Sequence, residues 1–310
     1  MRDESKEMIK QICDEENIKC KFLSKDWVIE LEKDGKTRYI CGYKFDLNLH
    51  GVGLVVDDKY ALYEVLKDKG IPVIEHRIVY DKNNKLDYAV DCNTYEYVKD
   101  FFIKNNNHIV IKPNSGTCGH NVFNITDINE IDGVLDNIFL SNHSISMCPF
   151  YDIKHEYRAI MLDGENKLLY AKYLPIVIGD GHRSIRELLL EFNHDYFVNK
   201  LDDSMYDRVL SKDEKYQYNW KFNLSQGSIA KKVENKELED KLINLAKQVC
   251  DKINLRFGSV DIIETTNNEI MILEINSGVM LKNYIKLYPD EYDIVKNIYK
   301  SAIEKLFDSI

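Results

Sequence analysis

The chain has 310 residues, enough for about two domains, and with 44% apolar and 30% charged residues and only five prolines it reads as globular rather than disordered. A formal net charge of −10 argues against binding a nucleic-acid backbone, which needs clustered Lys and Arg, yet leaves room for a basic pocket holding a single nucleotide. Seven scattered cysteines (Cys13, Cys20, Cys41, Cys92, Cys118, Cys148 and Cys250) form no CxxC pair and read as reduced thiols, with a zinc site as the weaker alternative.

The polar start, MRDESKEMIK, opens a helix and is no signal peptide. No apolar run approaches the roughly 18 residues a bilayer span needs, so the expectation is a cytoplasmic protein without a membrane partner. Residues 3 to about 18 read as a charged helix and 36–41 (KTRYIC) as a short strand. Asp57 is placed to cap a helix whose Ala61, Leu62, Val65 and Leu66 share one face; Gly70 stops it and IPVIEH continues as a strand. From 108 the order is strand (HIVIK), glycine-bearing loop (PNSGTCGH), strand (NVFNI) and a helix over about 127–140. EYRAIMLD and KLLYAKYL form a hairpin around Asp163-Gly164, and 183–193 is helical.

The polar, tyrosine-rich stretch 194–222 reads as a long surface excursion, with an active-site lid as the alternative. A helix over 235–253 carries Leu238, Leu242, Leu245, Ala246, Val249 and Cys250 on one side. Strands FGSVDIIE and EIMILEI, separated by TTNN, precede a last helix over about 290–307. Hairpins in place of strict βαβ alternation make the class α+β, with two lobes meeting at a cleft.

Three features carry chemistry. Asp261 stands in one strand, and Glu274 and Asn276 at i and i+2 of the next, so their side chains converge from adjacent strands. Alone they read as solvated acids on a hairpin, but VDII and MILEIN are otherwise apolar, and acids there are costly without a cation. An all-oxygen set of this kind suits Mg²⁺. The loop from Lys112 to His120 can cradle phosphates with its backbone N–H groups, although it is no Walker A motif and by itself equally fits a surface turn. Lys172 in LLYAKYLP and Arg158 in EYRAIML are cations in apolar strands, which commonly snorkel from an edge. Cys118 has no neighbour beyond His120 to activate it as a nucleophile.

Read in order, DDKYALYEVLKDKGIPV, HIVIKPNSGTCGHNVF, SMCPFYDIKHEYRAIMLDG, AKYLPIVIGDGHRSIRELL, NLSQGSIAKKV, FGSVDIIE and MILEINSG resemble the ATP-grasp superfamily. The likeness covers roughly residues 55 to 285 and is nearest the branch of cyanophycin synthetase, the glutathione-forming ligases and ribosomal-protein S6 glutamate ligase. It implies an ATP-grasp fold of two α+β lobes clasping ATP: a reduced N-terminal region at 1–55, then an ATP-grasp domain at 56–310 with a lid lobe at about 90–150 and a C-terminal lobe at about 151–310.

By that resemblance Lys59 and Lys112 contact ATP phosphates, and Ser115, Gly116, Thr117 and Gly119 belong to the loop closing over them. The segment from Ser146 through Met147, Cys148, Pro149 and Phe150 meets the adenine, and Lys172 is directed at the γ-phosphate. Asp261, Glu274 and Asn276 match the ligands of Mg²⁺, or of Mn²⁺ in its place. Arg158, Arg183 and Asn223 fall where related ligases contact substrate or phosphate, and Gly179-Asp180-Gly181 is a structural turn. Ser259 stands where several members carry an arginine, so Lys221 or the Ser277-Gly278 backbone is left to stabilise the oxyanion.

The implied activity is ATP-dependent joining of a carboxylate to an amine through an acyl phosphate, with an amino acid or short peptide on at least one side and a homodimer as the default assembly. The alternatives are an ATP-grasp phosphotransferase and a nucleotide-binding protein without catalysis.

Overall fold

The computed structural model of the protein describes residues 4–81, 94–116, 119–197, 201 and 203–308. Helix α1 (Glu4–Glu15) turns Met8, Ile9, Ile12 and Cys13 inward as an amphipathic stripe. It is followed by an antiparallel meander of β1 (Lys19–Leu23), β2 (Val28–Lys33), β3 (Lys36–Cys41) and β4 (Lys44–Phe45). Between β2 and β3, Asp34 and Gly35 both take positive φ, 51° and 73°, the two-residue turn that Asp-Gly favours.

Helices α2 (His50–Asp57) and α3 (Lys59–Asp68) come next. The expected cap moves by one residue: Asp57 ends α2, and Asp58, held extended, accepts from the Ala61 N–H at 2.8 Å. The apolar run HGVGLVV is itself helical, so the chain breaks only after it. Gly70 leaves α3 at φ 70° as expected. IPVIEH does not form a ladder strand; Pro72 and Ile74 bond only Ile272 through backbone atoms, and regular pairing starts at β5 (Arg77–Tyr80).

A first lobe is built from β5, α4 (Tyr95–Lys104), β6 (Ile109–Pro113), β7 (Phe123–Ile125), α5 (Ile131–Phe139) and β8 (Ser144–Pro149). Its sheet runs β5-β8-β6-β7, antiparallel throughout. Alternation sends Val79, Ile109, Ile111, Ile145 and Met147 into a core with Val98, Phe102, Leu135 and Ile138 of the two helices. Val110, Lys112, Ser146 and Cys148 take the opposite face.

The second lobe contains β9 (Ile153–Leu162), β10 (Glu165–Tyr173), β11 (Ile176–Ile178), α6 (Ile185–Phe197), β12 (Lys215–Gln217), β13 (Ile229–Lys231), α7 (Lys236–Ile253), β14 (Phe257–Thr265), β15 (Ile270–Asn276), α8 (Lys282–Leu287) and α9 (Tyr292–Asp308). Its five-stranded sheet has the order β13-β10-β9-β14-β15. One face, with Tyr157, Ala159, Met161, Val260 and Ile262, is covered by α7 and α3.

The other face is divided. Ile160, Leu162, Tyr170 and Phe257 share a core with α1, the N-terminal sheet and α9. Glu156, Arg158, Lys172, Asp261 and Ile263, on the same face, are left to line the cleft toward the first lobe. The stretch 194–222 is more ordered than a plain excursion, because Phe197, Leu201 and Leu210 pack with Val177, Ile185 and Leu189, and β12 pairs with β11.

Asn48 ties the N-terminal region to the main sheet. Its side chain accepts from the N–H groups of Arg256 (2.8 Å) and Phe257 (3.1 Å) and donates to the Phe257 carbonyl (2.6 Å). Asn48→Ala leaves these backbone groups without partners and is expected to lower unfolding stability by about 2 kcal/mol, read from the urea midpoint. A loss below about 0.5 kcal/mol would show that water replaces the side chain.

Candidate active site

The cleft-facing end of the second lobe holds three buried charges, Glu156, Lys172 and Asp261, and a half-buried fourth, Arg158. Arg158 and Asp261 are direct cross-strand partners, as are Lys172 and Glu156. Arg158 donates from Nε to Asp261 Oδ1 (2.7 Å) and from Nη2 to Oδ2 (2.6 Å), a two-point bridge. Lys172 bonds Glu156 closely and reaches Asp261 Oδ1 at 3.0 Å. Burial works against ionising both acids. The two cations overcome it at Asp261, whose carboxyl is held at about 2. Glu156 is pushed up to about 7, since Lys172 only partly offsets its burial and Asp261 adds repulsion.

Asn276 Nδ2 sits between the acids of the predicted cation set, 3.4 Å from Asp261 Oδ2 and 3.3 Å from Glu274 Oε1. Rotating that amide by a half turn brings its oxygen to the same point, so three oxygens can converge where one donor now lies. These residues therefore fit a hard divalent cation. Among the described residues no three His, Cys, Asp or Glu side chains form a metal cage. A cation here depends on the amide and on oxygens brought by a nucleotide, the usual manner of Mg²⁺.

The pairing of β14 with β15 skips a residue: Asp261 faces Glu274 while Ile262 faces Ile272. Leu273 is the extra residue of a bulge, which lets it join the cleft cluster of Ile74, Val110, Cys148, Ile263 and Met271 immediately beside Glu274. An apolar floor for a flat base thus adjoins the acids.

The glycine loop is tied at both ends. Lys59 Nζ donates to the carbonyls of Asn114 (3.3 Å) and Gly116 (3.1 Å). Asn114 bonds Asp58 and the Tyr60 N–H, which fixes the loop to the start of α3. On the far side Lys221 Nζ reaches the Gly119 carbonyl at 3.2 Å. Gly119 takes φ 67°, which an L side chain rarely adopts, and it lies in contact range of the Asn223 and Gln226 side chains. Burial lowers the Lys59 pKa, with Glu274 opposing it and Lys112 reinforcing it, so both lysines lie near the acids across the cleft. Ser115 and Gly116 are exposed in this loop; Thr117, like Cys118, lies outside the described residues, as does Cys92.

In the segment expected to meet adenine, Met147 turns into the lobe core and Cys148 faces the cleft. Pro149 pairs with Ile109, and Phe150 stacks on His108 at 3.8 Å, its N–H bonded to the His108 carbonyl. Ser277 Oγ bonds Asp57 at 3.3 Å, and Gly278 bridges Lys44 of β4. Arg183 is not brought into this group by any recorded bond; it is engaged by Asp180 and Glu191 of its own segment.

Sequence reasoning missed Glu156, although an acid in an apolar strand was the signal used for Asp261. It also missed Lys44, Asp57, His76 and Trp220, whose ring lies 6.4 Å from Phe150; only the folded chain brings these to the cleft. Arg158→Met leaves the Asp261 carboxylate with Lys172 as its remaining cation and is expected to cost about 2–3 kcal/mol in unfolding stability. Adding Asp261→Asn to that variant should recover part of the loss. Strictly additive losses in denaturation would show that the bridge carries no coupling.

Residues 206–300 match a family described as the RimK-like ATP-grasp domain. The bifunctional glutathione biosynthesis protein of Streptococcus mutans is 26% identical over 147 residues, 46% of this chain but 18% of that protein, so the match spans less than a fifth of the curated relative. Among solved structures, D-alanine–D-alanine ligase of Bacillus anthracis superposes with TM-score 0.53 at 13% identity, covering 83% of this chain and 70% of that one. A RiPP-associated ATP-grasp ligase of Chryseobacterium gregarium, solved with ADP and a leader and core peptide, gives TM-score 0.51 at 13% identity, covering 96% and 92%. The chain has the ATP-grasp fold, and its residues 206–300 are similar to the RimK-like ATP-grasp domain.

Proposed function

We propose that the protein is an ATP-dependent carboxylate–amine ligase that works through an acyl phosphate and releases ADP and phosphate. The observation that carries this reading is the meeting, across one cleft, of Asp261, Glu274 and Asn276 with Lys59, Lys112 and a tethered glycine loop. The ATP-grasp fold supports it, as does the match to a RimK-like domain.

The apolar floor of Val110, Cys148, Ile263 and Leu273 takes the base, and Lys59 and Lys112 take the phosphates. Mg²⁺ held by Asp261, Glu274 and Asn276 would neutralise and orient the β- and γ-phosphates. A bound carboxylate attacks the γ-phosphorus in line; Lys172, already beside Asp261, offsets charge developing on the transferred group. The amine then attacks the acyl carbon and phosphate departs. Lys221 or the Ser277-Gly278 backbone stabilises the oxyanion in this reading, and the glycine loop excludes water. Asn223 steadies the loop, and Arg183 serves substrate approach from the adjoining segment.

The acceptor wall of Lys44, Asp57, Ser277 and Gly278 suits a zwitterionic substrate, an amino acid or short peptide. The neighbours named for D-alanine ligation and for peptide binding favour the same class.

The test is product analysis across amino acids and small carboxylates. Phosphate release should require carboxylate, amine, ATP and a divalent cation together, with mass spectrometry showing the joined product. Lys172→Ala and Glu274→Ala should each lower the rate by about 10²–10³. Either variant turning over normally would refute the assignment, and a stable phosphorylated product would make the enzyme a phosphotransferase.

Nucleotide occupancy has an independent optical readout. Of the two tryptophans, Trp27 is 60% exposed in the N-terminal sheet and Trp220 lies near Phe150. In Trp27→Phe, Mg-ATP should change the emission of Trp220 saturably. An unchanged spectrum at saturating nucleotide would place the base elsewhere.

A further inference from the structure

The first lobe carries a buried histidine that no step above uses. His76, 2% exposed, directly precedes β5, and alternation through Ile74, His76 and Ile78 sets it on the face that carries Val110, Lys112, Ser146 and Cys148. Arg77 pairs with Met147, which brings His76 beside Cys148 of the base-binding floor. Its Nδ1 is 2.6 Å from Ser146 Oγ. Its Nε2 is fully buried and has no hydrogen-bond partner among the described residues.

A buried nitrogen left without a partner is unfavourable, and native proteins rarely retain one without a use. Burial, with Lys112 and Lys59 nearby, keeps the imidazole neutral, well below its ordinary pKa. A neutral ring has one N–H and one lone pair. In the tautomer that accepts the Ser146 hydroxyl at Nδ1, Nε2 carries the hydrogen and calls for an acceptor. The adjoining lysine ammonium groups offer only hydrogens, so an acceptor atom of a ligand in the cleft is the partner that fits.

We propose that His76 is a nucleotide-positioning residue, oriented by Ser146, whose Nε2–H is satisfied by an acceptor atom of the bound purine nucleotide, either ring nitrogen N7 or an α-phosphate oxygen. The assignment rests on the proposed ATP site and adds a contact at the junction of base and phosphates.

The experiment measures Mg-ATP binding by calorimetry to wild type, His76→Phe and His76→Gln. His76→Phe fills the space without a donor and should weaken binding about ten- to a hundredfold; His76→Gln, which keeps an amide N–H at similar reach, should recover part of it. The ligand 7-deaza-ATP separates the two acceptors. With N7 as partner, it binds wild type as weakly as ATP binds His76→Phe. With a phosphate oxygen as partner, both nucleotides lose equally on substitution.

Where His76→Phe does not fold, the ¹⁵N imidazole shifts of wild-type protein serve instead: the Nε2 resonance should move on adding Mg-ATP. Equal affinity in all three proteins, or an unmoved Nε2 resonance in nucleotide-saturated wild type, overturns the role of His76 and leaves the proposed function standing. Wild type that binds no nucleotide overturns both.

Discussion

Four charges on three adjacent strands, Glu156 and Arg158 on β9, Lys172 on β10 and Asp261 on β14, set the terms for the rest of the molecule. They occupy the face that a few residues away is packed with Ile160, Leu162, Tyr170 and Phe257. None is tolerable there alone, since an unpaired buried charge is strongly destabilising. They coexist because register puts Arg158 opposite Asp261 and Lys172 opposite Glu156. A one-residue slip of β14 would carry Asp261 to the α7 side and Ile262 into the cleft. The β9–β14 pairing, in register from Phe257 to Glu264, thus fixes both the core and the charge set.

That set sums to zero when all four groups are ionised. Glu274, contributed by the edge strand, is the acid left over, and its charge is felt by Lys59 across the cleft. The proposed Mg-nucleotide would answer both imbalances, with Glu274 and Asp261 available to its cation and Lys59 and Lys112 to its phosphates. The Asn276 amide lies within reach of both acids, at the point where their charges meet. The described parts of the glycine loop are bound on one side through Asn114 to α3 and on the other, at Gly119, through Lys221.

Much of this was legible in residue order. Strong alternation marked β9, β10, β14 and β15, and an acid inside MILEIN is visible as an anomaly without any structure. The Asp34-Gly35 turn was equally visible and went unread, because VIELEK carries too many charges to read as the hairpin partner of the KTRYIC strand. The bulge at Leu273 was not legible: a strict period of two places Leu273 away from Glu274, and only the skipped pairing brings both into the cleft. Strands of three residues such as β11 and β13 are too short for any period to show. Partner identity is the deepest loss, since Arg158 and Asp261 lie far apart in sequence and meet solely through sheet order.

The N-terminal sheet gains its meaning from the same geometry. It packs on the other end of the same sheet face that carries the charge set, and Asn48 locks it to the start of β14, four residues from Asp261. From there β4 runs to the end of β15, where Lys44 bridges Gly278 and Tyr43 accepts from the Val279 N–H. The residues following Asn276 are therefore held between two sheets. The oxyanion role proposed for the Ser277-Gly278 backbone would need such rigidity, because donors aimed at a developing oxyanion help only if they do not have to reorganise. Since the wall that positions Ser277 and Gly278 is the same element that completes the core, weakening the N-terminal packing displaces the acceptor side of the cleft before it reaches the charge set, which is bound within its own three strands.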